Sequence, residues 1–130
     1  MGKPRPKVQS TMPRFVILEH DHPHLHWDLM LEAGNALRTW RLATPPQAGR
    51  VLPVEPIGDH RLAYLDYDGP VSGNRGSVRR WDWGTFEQVQ ESAHLLGVEL
   101  HGQRIQGRLE LFEDGHSGWQ LRFIPISRID

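Results

Sequence analysis

Hydrophobic and polar positions alternate most clearly in the first third of the chain. Residues 14–20 and 25–32 are rich in β-forming side chains, and residues 36–42 continue that character. The segments between them carry turn chemistry, first Asp21-His22-Pro23-His24 and then Ala33-Gly34-Asn35. Because short loops of this kind join neighbouring strands, the pattern predicts strands that pair antiparallel.

The middle of the chain is less regular. Residues 44–58 are rich in proline and are predicted to be irregular. Residues 61–66 are predicted to form a strand. Residues 77–82 are predicted to form a further strand. A turn and the start of another strand are predicted to follow over residues 84–87.

The last third contains one predicted helix and a well-alternating tail. Residues 87–96 are the helical candidate, with loose apolar spacing, and Gly97 is placed to end the helix. Ile105, Leu109 and Leu111 lie among charged residues, and Trp119, Leu121 and Phe123 recur at a spacing of two. The tail therefore predicts two strands separated by the turn Asp114-Gly115.

Six to eight short strands predict a mainly all-β fold. The architecture expected is a small closed antiparallel β-barrel, or a sandwich, with at most one or two short helices. The length of 130 residues fits a single domain over residues 14–130. Residues 1–13 carry lysine, arginine and proline but no acid, and are predicted to be a flexible basic arm or an artefact of the assigned start.

Composition excludes several classes of protein. Before glycine is counted, 38% of the residues are apolar, which is typical of a globular chain and excludes a disordered one. The absence of cysteine excludes a disulfide scaffold and a thiolate metal site. No stretch has the length of a membrane span and no signal peptide is evident, so we expect a cytoplasmic protein without membrane contact. The net charge of −1 provides no overall basic field.

Candidate chemistry is concentrated around the first predicted turn. His26 and Asp28 are two residues apart on a strand and therefore point to the same side, while His20 ends the neighbouring strand. Two imidazoles and a carboxylate are ligands that suit Mn²⁺, Fe²⁺ or Zn²⁺. The alternative is a set of solvated turn histidines, and His22 and His24 are interpreted in that way.

The same residues carry a resemblance to a known family. Residues 14–21, 25–32 and 37–40 resemble the opening of the 3′-phosphoesterase domain of bacterial DNA ligase D, whose core reads His-x5-His-x-Asp. The likeness continues in order to about residue 124, through the following segments: Asp59-His60-Arg-Leu-Ala-Tyr64, Asp66-Tyr-Asp-Gly69, Trp81-Asp-Trp-Gly-Thr85, Ile105-Gln-Gly-Arg-Leu-Glu-Leu111 and Trp119-Gln-Leu-Arg-Phe123.

The resemblance implies a β-barrel and a Mn²⁺-dependent activity on nucleic acid 3′ ends, in DNA or in DNA–RNA primer-templates. It implies removal of a 3′-terminal ribonucleoside and then of the remaining 3′-phosphate. By position, His20, His26 and Asp28 hold the metal, while His60 and Tyr64 contact the scissile phosphate. The family domain is usually fused to ligase and polymerase domains. Since this sequence contains neither, a separate DNA ligase is an expected partner.

Three positions depart from the family pattern. Met30 stands where the family has an arginine, Thr44 where it has a lysine, and Gly58 where it has an acid. An arginine can bind phosphate through two hydrogen bonds at once. Losing it lowers the binding free energy by about 1.5–3 kcal/mol for each charged hydrogen bond. The candidate substitutes from loops are Arg50, Arg61 and Arg75.

Two other functions fit the same residues. One is a binding module of the same fold that holds metal and nucleic acid ends but has lost catalysis at the three departing positions. The other is an Fe²⁺ oxygenase of the two-histidine-one-carboxylate type, in which His26, Asp28 and a distant histidine such as His60 form the triad.

Overall fold

Nine strands and one short 3₁₀ helix make up the computed structural model, which describes residues 12–126. The 3₁₀ helix is Leu62–Asp66. The strands are β1 (Arg14–His20), β2 (His26–Ala33), β3 (Ala36–Leu42), β4 (Val51–Arg61), β5 (Gly69–Pro70), β6 (Ser77–Glu91), β7 (Leu95–Gly102), β8 (Gln106–Glu113) and β9 (Trp119–Pro125). Within residues 12–126, no helix has the length and apolar content needed to cross a membrane.

The strands form one antiparallel sheet in the order β1-β2-β3-β4-β9-β8-β7-β6-β5. An additional pairing of β1 with β6 joins the sheet to itself, so eight strands close into a ring. The two residues of β5 pair with the start of β6. The predicted all-β, closed antiparallel architecture is confirmed, with one short helix in the described part of the chain.

Alternate residues of the same strands are buried on opposite faces. The ring interior is filled by side chains from all eight of its strands, including Ile17, Leu29 and Leu121. A second buried cluster lies on the outer face of β1, β2 and β3, where Leu18 and Met30 pack with four others, Val16, Leu37, Leu65 and Val78. Because side chains alternate along a strand, β1 and β2 can support both clusters at once.

The predicted helix over residues 87–96 is wrong. These residues form the end of β6 and the start of β7, which pair as a hairpin with a register shift between Gln88 and Gln90. Leu96, Val98 and Leu100 are buried at a spacing of two, which is the period of a strand and explains the loose fit to helical spacing. The turn predicted between residues 82 and 84 is also absent, because β6 runs unbroken through them.

Two further expectations for the middle of the chain are wrong. Residues 51–61, largely predicted irregular, form β4, which pairs with β9 only through its first three residues. Beyond them one edge of β4 has no strand partner, so Pro56 removes no ladder hydrogen bond there. Residues 62–66, predicted to be strand, form the 3₁₀ helix, whose Leu65 joins the outer cluster.

The predicted basic arm falls almost entirely outside the described residues. Of its residues, Pro13 accepts a backbone hydrogen bond from Phe86 at 3.0 Å. The next basic residue, Arg14, starts β1 and forms an ion pair with Asp66 at 2.5 Å, which ties the 3₁₀ helix to the sheet.

Candidate metal centre and phosphate site

The β1–β2 hairpin brings the three predicted metal ligands together. His20 and His26 are direct register partners, and their ring centroids lie 4.9 Å apart. Asp28 follows two residues along β2 on the same face, with Oδ2 3.3 Å from Nε2 of His26. One ligand atom from each of the three residues lies within 4.8 Å of the other two. The outer face of the ring therefore carries a compact set of metal-ligating atoms.

Backbone carbonyls orient both imidazoles. His20 Nε2 donates to the carbonyl oxygen of Arg75 at 2.8 Å, and His26 Nδ1 donates to that of His24 at 2.8 Å. A carbonyl oxygen can only accept, so these two nitrogens carry the hydrogens. Nδ1 of His20 and Nε2 of His26 keep their lone pairs, as metal ligands do when the other ring nitrogen donates to a carbonyl.

The donor set fits a divalent transition metal. His26 and Asp28 are 6% and 3% exposed, so water solvates little of either group. The lone pair of His26 Nε2 faces a carboxylate oxygen, and two buried acceptors at this separation need a cation or a proton between them. Two imidazole nitrogens and a carboxylate suit Mn²⁺, Fe²⁺ or Zn²⁺. The residues present are consistent with a metal at this position.

A cavity of about 220 Å³ adjoins these ligands. Most of the predicted site residues line it: His20, Asp28, His60, Tyr64 and Arg75. His60 and Tyr64 reach it from the end of β4 and from the 3₁₀ helix, with ring centroids 5.8 Å apart. His60 Nδ1 donates to the carbonyl oxygen of Gly58 at 2.9 Å, which leaves Nε2 free. The cavity is lined by Leu18, His20, His22, Pro23, Asp28, Met30, Arg41, His60, Tyr64, Val71, Arg75 and Val78.

The three arginines proposed to replace the family's phosphate-binding arginine lie at different places in the structure. Arg75 lines the cavity, although its guanidinium also donates to the carbonyl and hydroxyl of Ser72 at 2.7 and 3.2 Å. Arg61 lines a neighbouring cavity that shares Tyr64 with the first. Arg50 bonds to Gln47 and lines neither cavity. Of the three, only Arg75 faces the candidate site.

Sequence reasoning missed two residues of this cavity that carry ionisable side chains, Arg41 and His22. Arg41 lies on β3 directly opposite Asp28, with Nε 3.4 Å from Asp28 Oδ1. His22, interpreted as a turn residue, also lines the cavity, and its ring centroid is 6.4 Å from that of His20. The sequence signal for Arg41 was only an arginine on the predicted strand over residues 36–42, and its position beside Asp28 depends on the β2–β3 register, which the sequence alone does not reveal.

The departing positions differ in their surroundings. Met30 is 1% exposed and forms part of the cavity wall, so an apolar side chain occupies this place. Thr44 is exposed and does not line the cavity. A Cβ atom on Gly58 would meet nothing within 4 Å, so glycine is not required there by space. Met30 is therefore the departure that bears directly on the site.

Asp21 fixes the loop whose carbonyl orients His20. Its Oδ1 accepts the backbone N–H of Ser77 at 2.8 Å, and this hydrogen bond lowers the pKa of the Asp21 carboxyl below its ordinary value. Gly76 next to it has φ +72°, and a Cβ there would lie 2.2 Å from Oδ1 of Asp21. Glycine is thus required at this position, and Arg75 is held within reach of His20.

Comparison with known proteins identifies the family. A family model of the DNA ligase D 3′-phosphoesterase domain matches residues 18–113, a span that includes His20, His26, Asp28, His60 and Tyr64. The chain belongs to this family. The ordered series of motifs and the ring of strands therefore represent a DNA ligase D 3′-phosphoesterase domain, and the sequence resemblance is confirmed.

Three curated relatives carry this domain within longer proteins. The chain is 28% identical to the multifunctional non-homologous end joining protein LigD of Pseudomonas aeruginosa over 97% of its length. It is 32% identical to the corresponding DNA repair protein of Mycobacterium tuberculosis over 81% of its length, and 27% identical to LigD of Mycolicibacterium smegmatis over 82%. In each case this chain spans only 15–16% of the length of the relative.

Proposed function

We propose that this protein is a metal-dependent phosphoesterase that processes the 3′ ends of nucleic acid. One observation carries the proposal: two of the three grouped candidate metal ligands, His20 and Asp28, line the same cavity as the imidazole of His60, in a chain of the 3′-phosphoesterase family. Mn²⁺ is the metal we propose, because the family resemblance implies it and the nitrogen and oxygen donors accept it. The substrates are a 3′-terminal ribonucleoside and a 3′-phosphate.

His20, His26 and Asp28 would hold the metal through the atoms that their carbonyl contacts leave free. When bound, a divalent metal neutralises charge on the phosphoryl oxygens and makes water a better nucleophile. The protein's own contribution is orientation. The two carbonyl hydrogen bonds fix the tautomers and ring planes, and burial keeps competing water away from Asp28.

His60 and Tyr64 would act on the phosphate itself. With Nδ1 bonded to Gly58, protonated His60 presents Nε2–H to the cavity. In hydrolysis a water oxygen bonds to phosphorus and releases a proton to solvent, the bond from phosphorus to the leaving oxygen breaks, and His60 supplies the proton that this oxygen takes up. The hydroxyl of Tyr64 donates to a non-bridging oxygen, and the Arg75 guanidinium adds positive charge from the loop.

The direct test uses a DNA primer that ends in one ribonucleotide, annealed to a template and incubated with the protein and Mn²⁺. We expect loss of the terminal nucleoside and then of the 3′-phosphate, resolved on a denaturing gel. His26→Ala is expected to abolish both steps, whereas Arg50→Gln, which lies outside the cavity, retains them. A primer left unshortened at micromolar protein contradicts the proposal, and trimming that survives His26→Ala assigns it to another site or a contaminant.

A binding module is the second candidate, and Met30 in the cavity wall favours it. A binding module of this kind predicts tight, metal-dependent binding of 3′-phosphate ends without product.

The oxygenase candidate used His60 as its second imidazole. In the described residues the metal-ligand set contains His20 instead, and His60 belongs to the adjoining cavity. Ferrous iron with a 2-oxo acid, rather than a nucleic acid end, is the assay for that chemistry.

A partner of this activity would be an enzyme that seals the ends it prepares. The curated relatives are named for non-homologous end joining. We propose that the processed end is passed to a separate DNA ligase in the cytoplasm. Co-purification of a ligase with the tagged protein is the supporting observation, and ligation that is unaffected by adding the protein contradicts it.

A further inference from the structure

Arg41 is the unassigned cation of the candidate site. It lies on β3, the strand next to the one that carries His26 and Asp28, and its side chain is 38% exposed at the cavity. Two residues beyond Asp28 the wall is formed by Met30, which offers no charge to an anion. We propose that Arg41 is the phosphate clamp of this protein, which binds the terminal phosphate from the side of the cavity opposite the loop.

The contact with Asp28 orients the guanidinium. Nε of Arg41 approaches Oδ1 of Asp28 at 3.4 Å, while Oδ2 faces His26. This contact uses the Nε edge, so the two Nη groups remain to donate to an anion in the bidentate geometry that suits phosphate. One carboxylate therefore contributes to the metal-ligand set and also positions the arginine beside it.

The backbone of Arg41 is held by the sheet, whereas Arg75 lies in a loop. The Arg41 backbone pairs with Asp28 on one side and with Glu55 on the other, within β2, β3 and β4. Arg75 instead lies in the loop before β6, and two of its guanidinium nitrogens already donate hydrogen bonds to Ser72. The strand fixes the Cα atom of Arg41 and the direction in which its side chain leaves the sheet, and such prior orientation of a donor favours transition-state stabilisation.

The inference rests on the proposed function for its substrate, but a binding measurement separates the two. The probe is a labelled DNA oligonucleotide whose 3′ end carries a phosphonate, joined to the sugar through a methylene group so that it cannot be hydrolysed. The reference is the same oligonucleotide with a 3′-hydroxyl. Fluorescence anisotropy with the Mn²⁺-loaded protein gives the preference for the charged end.

Arg41→Gln is expected to reduce this preference about 10- to 100-fold, the equivalent of one charged bidentate contact. Arg50→Gln removes the same charge outside the cavity and is expected to leave the preference unchanged. Met30→Arg added to Arg41→Gln places a guanidinium on the same wall and is expected to restore it. Arg41→Lys retains a point charge without the fork, so we expect an intermediate loss; it carries the test if Arg41→Gln does not fold.

A purely structural role for Arg41 predicts a different result. If Arg41 only positions Asp28, Arg41→Gln weakens Mn²⁺ binding in isothermal titration, whereas a phosphate clamp leaves Mn²⁺ binding unchanged or slightly tighter. The inference is overturned by that weakening, by a wild-type protein without preference for the charged end, or by full preference in Arg41→Gln. The proposed function fails on another result: wild-type protein that prefers the phosphonate end but leaves a 3′-phosphate primer intact.

Discussion

Asp82 offers the sharpest test of how the ring of strands is held together. It is fully buried within the Trp81-Asp-Trp motif, and its carboxylate accepts four backbone N–H groups at 2.8–3.0 Å. Oδ1 accepts three of them and Oδ2 the fourth; the donors are Trp83, Gln103, Arg104 and Ile105. The loop between β7 and β8 is thus fixed to β6 by one anion.

Asp82→Asn replaces one acceptor oxygen with an amide that donates. At least one backbone N–H then faces another donor, which costs about 1–3 kcal/mol. The retained hydrogen bonds lose the assistance of charge, at about 1 kcal/mol each. The free energy of unfolding should therefore fall by about 4 kcal/mol, a large part of the roughly 5–15 kcal/mol that stabilises most domains.

Urea unfolding followed by tryptophan fluorescence measures this change, since the chain has five tryptophans. Asp114→Asn is the matched control, because Asp114 also accepts two backbone N–H groups but on an exposed turn. We expect a much smaller change there, and unchanged Mn²⁺ affinity in folded Asp82→Asn, because Asp82 does not line the cavity. A loss below about 1 kcal/mol in Asp82→Asn would refute the reasoning that charge assistance holds this loop.

Three further outcomes follow from the site. Asp28→Asn removes the anionic member of the donor set and should lower Mn²⁺ affinity at least about 10-fold in calorimetry; an unchanged affinity contradicts the proposed ligand. Gly76→Ala adds a clash to its positive φ, whereas Gly34→Ala at φ +64° meets nothing within 4 Å. Thermal melts should therefore show the larger loss for Gly76→Ala, and equal losses contradict the predicted clash. Asp21→Asn should be less stable than wild type at pH 7, because the folded pKa of Asp21 is lowered by Ser77. This contribution is present above the unfolded pKa of about 3.9 and is lost as pH falls through the folded value, so melts below that range should converge.

The grouping of the three candidate metal ligands could be predicted because it depends on local geometry. His26 and Asp28 share a face by the alternation of a single strand, and a short turn places His20 opposite. The strands over residues 14–42 were confirmed for the same reason. Each prediction needed only neighbours within about fifteen residues along the chain, where turn chemistry and periodicity decide the structure.

Features that depend on distant pairing could not be predicted in the same way. β4 forms despite Pro53 and Pro56 because pairing with β3 outweighs local preference and one edge is largely unpaired. The position of Tyr64 depends on a 3₁₀ helix that packs Leu65 onto the outer cluster. Arg41 becomes part of the site only through its register with Asp28. These relations involve residues that are remote in sequence or a tertiary surface that must already exist.

The cavity lies on the outside of the ring, so the candidate site residues are separate from the side chains that fill the ring interior. Along β2, Leu29 and Leu31 seal the interior while Asp28 and Met30 face the cavity. Exchanging a cavity-facing side chain therefore leaves every interior contact of its strand in place. Such a scaffold can acquire new ligands or a new specificity by single substitutions at alternate positions without repacking of the ring interior.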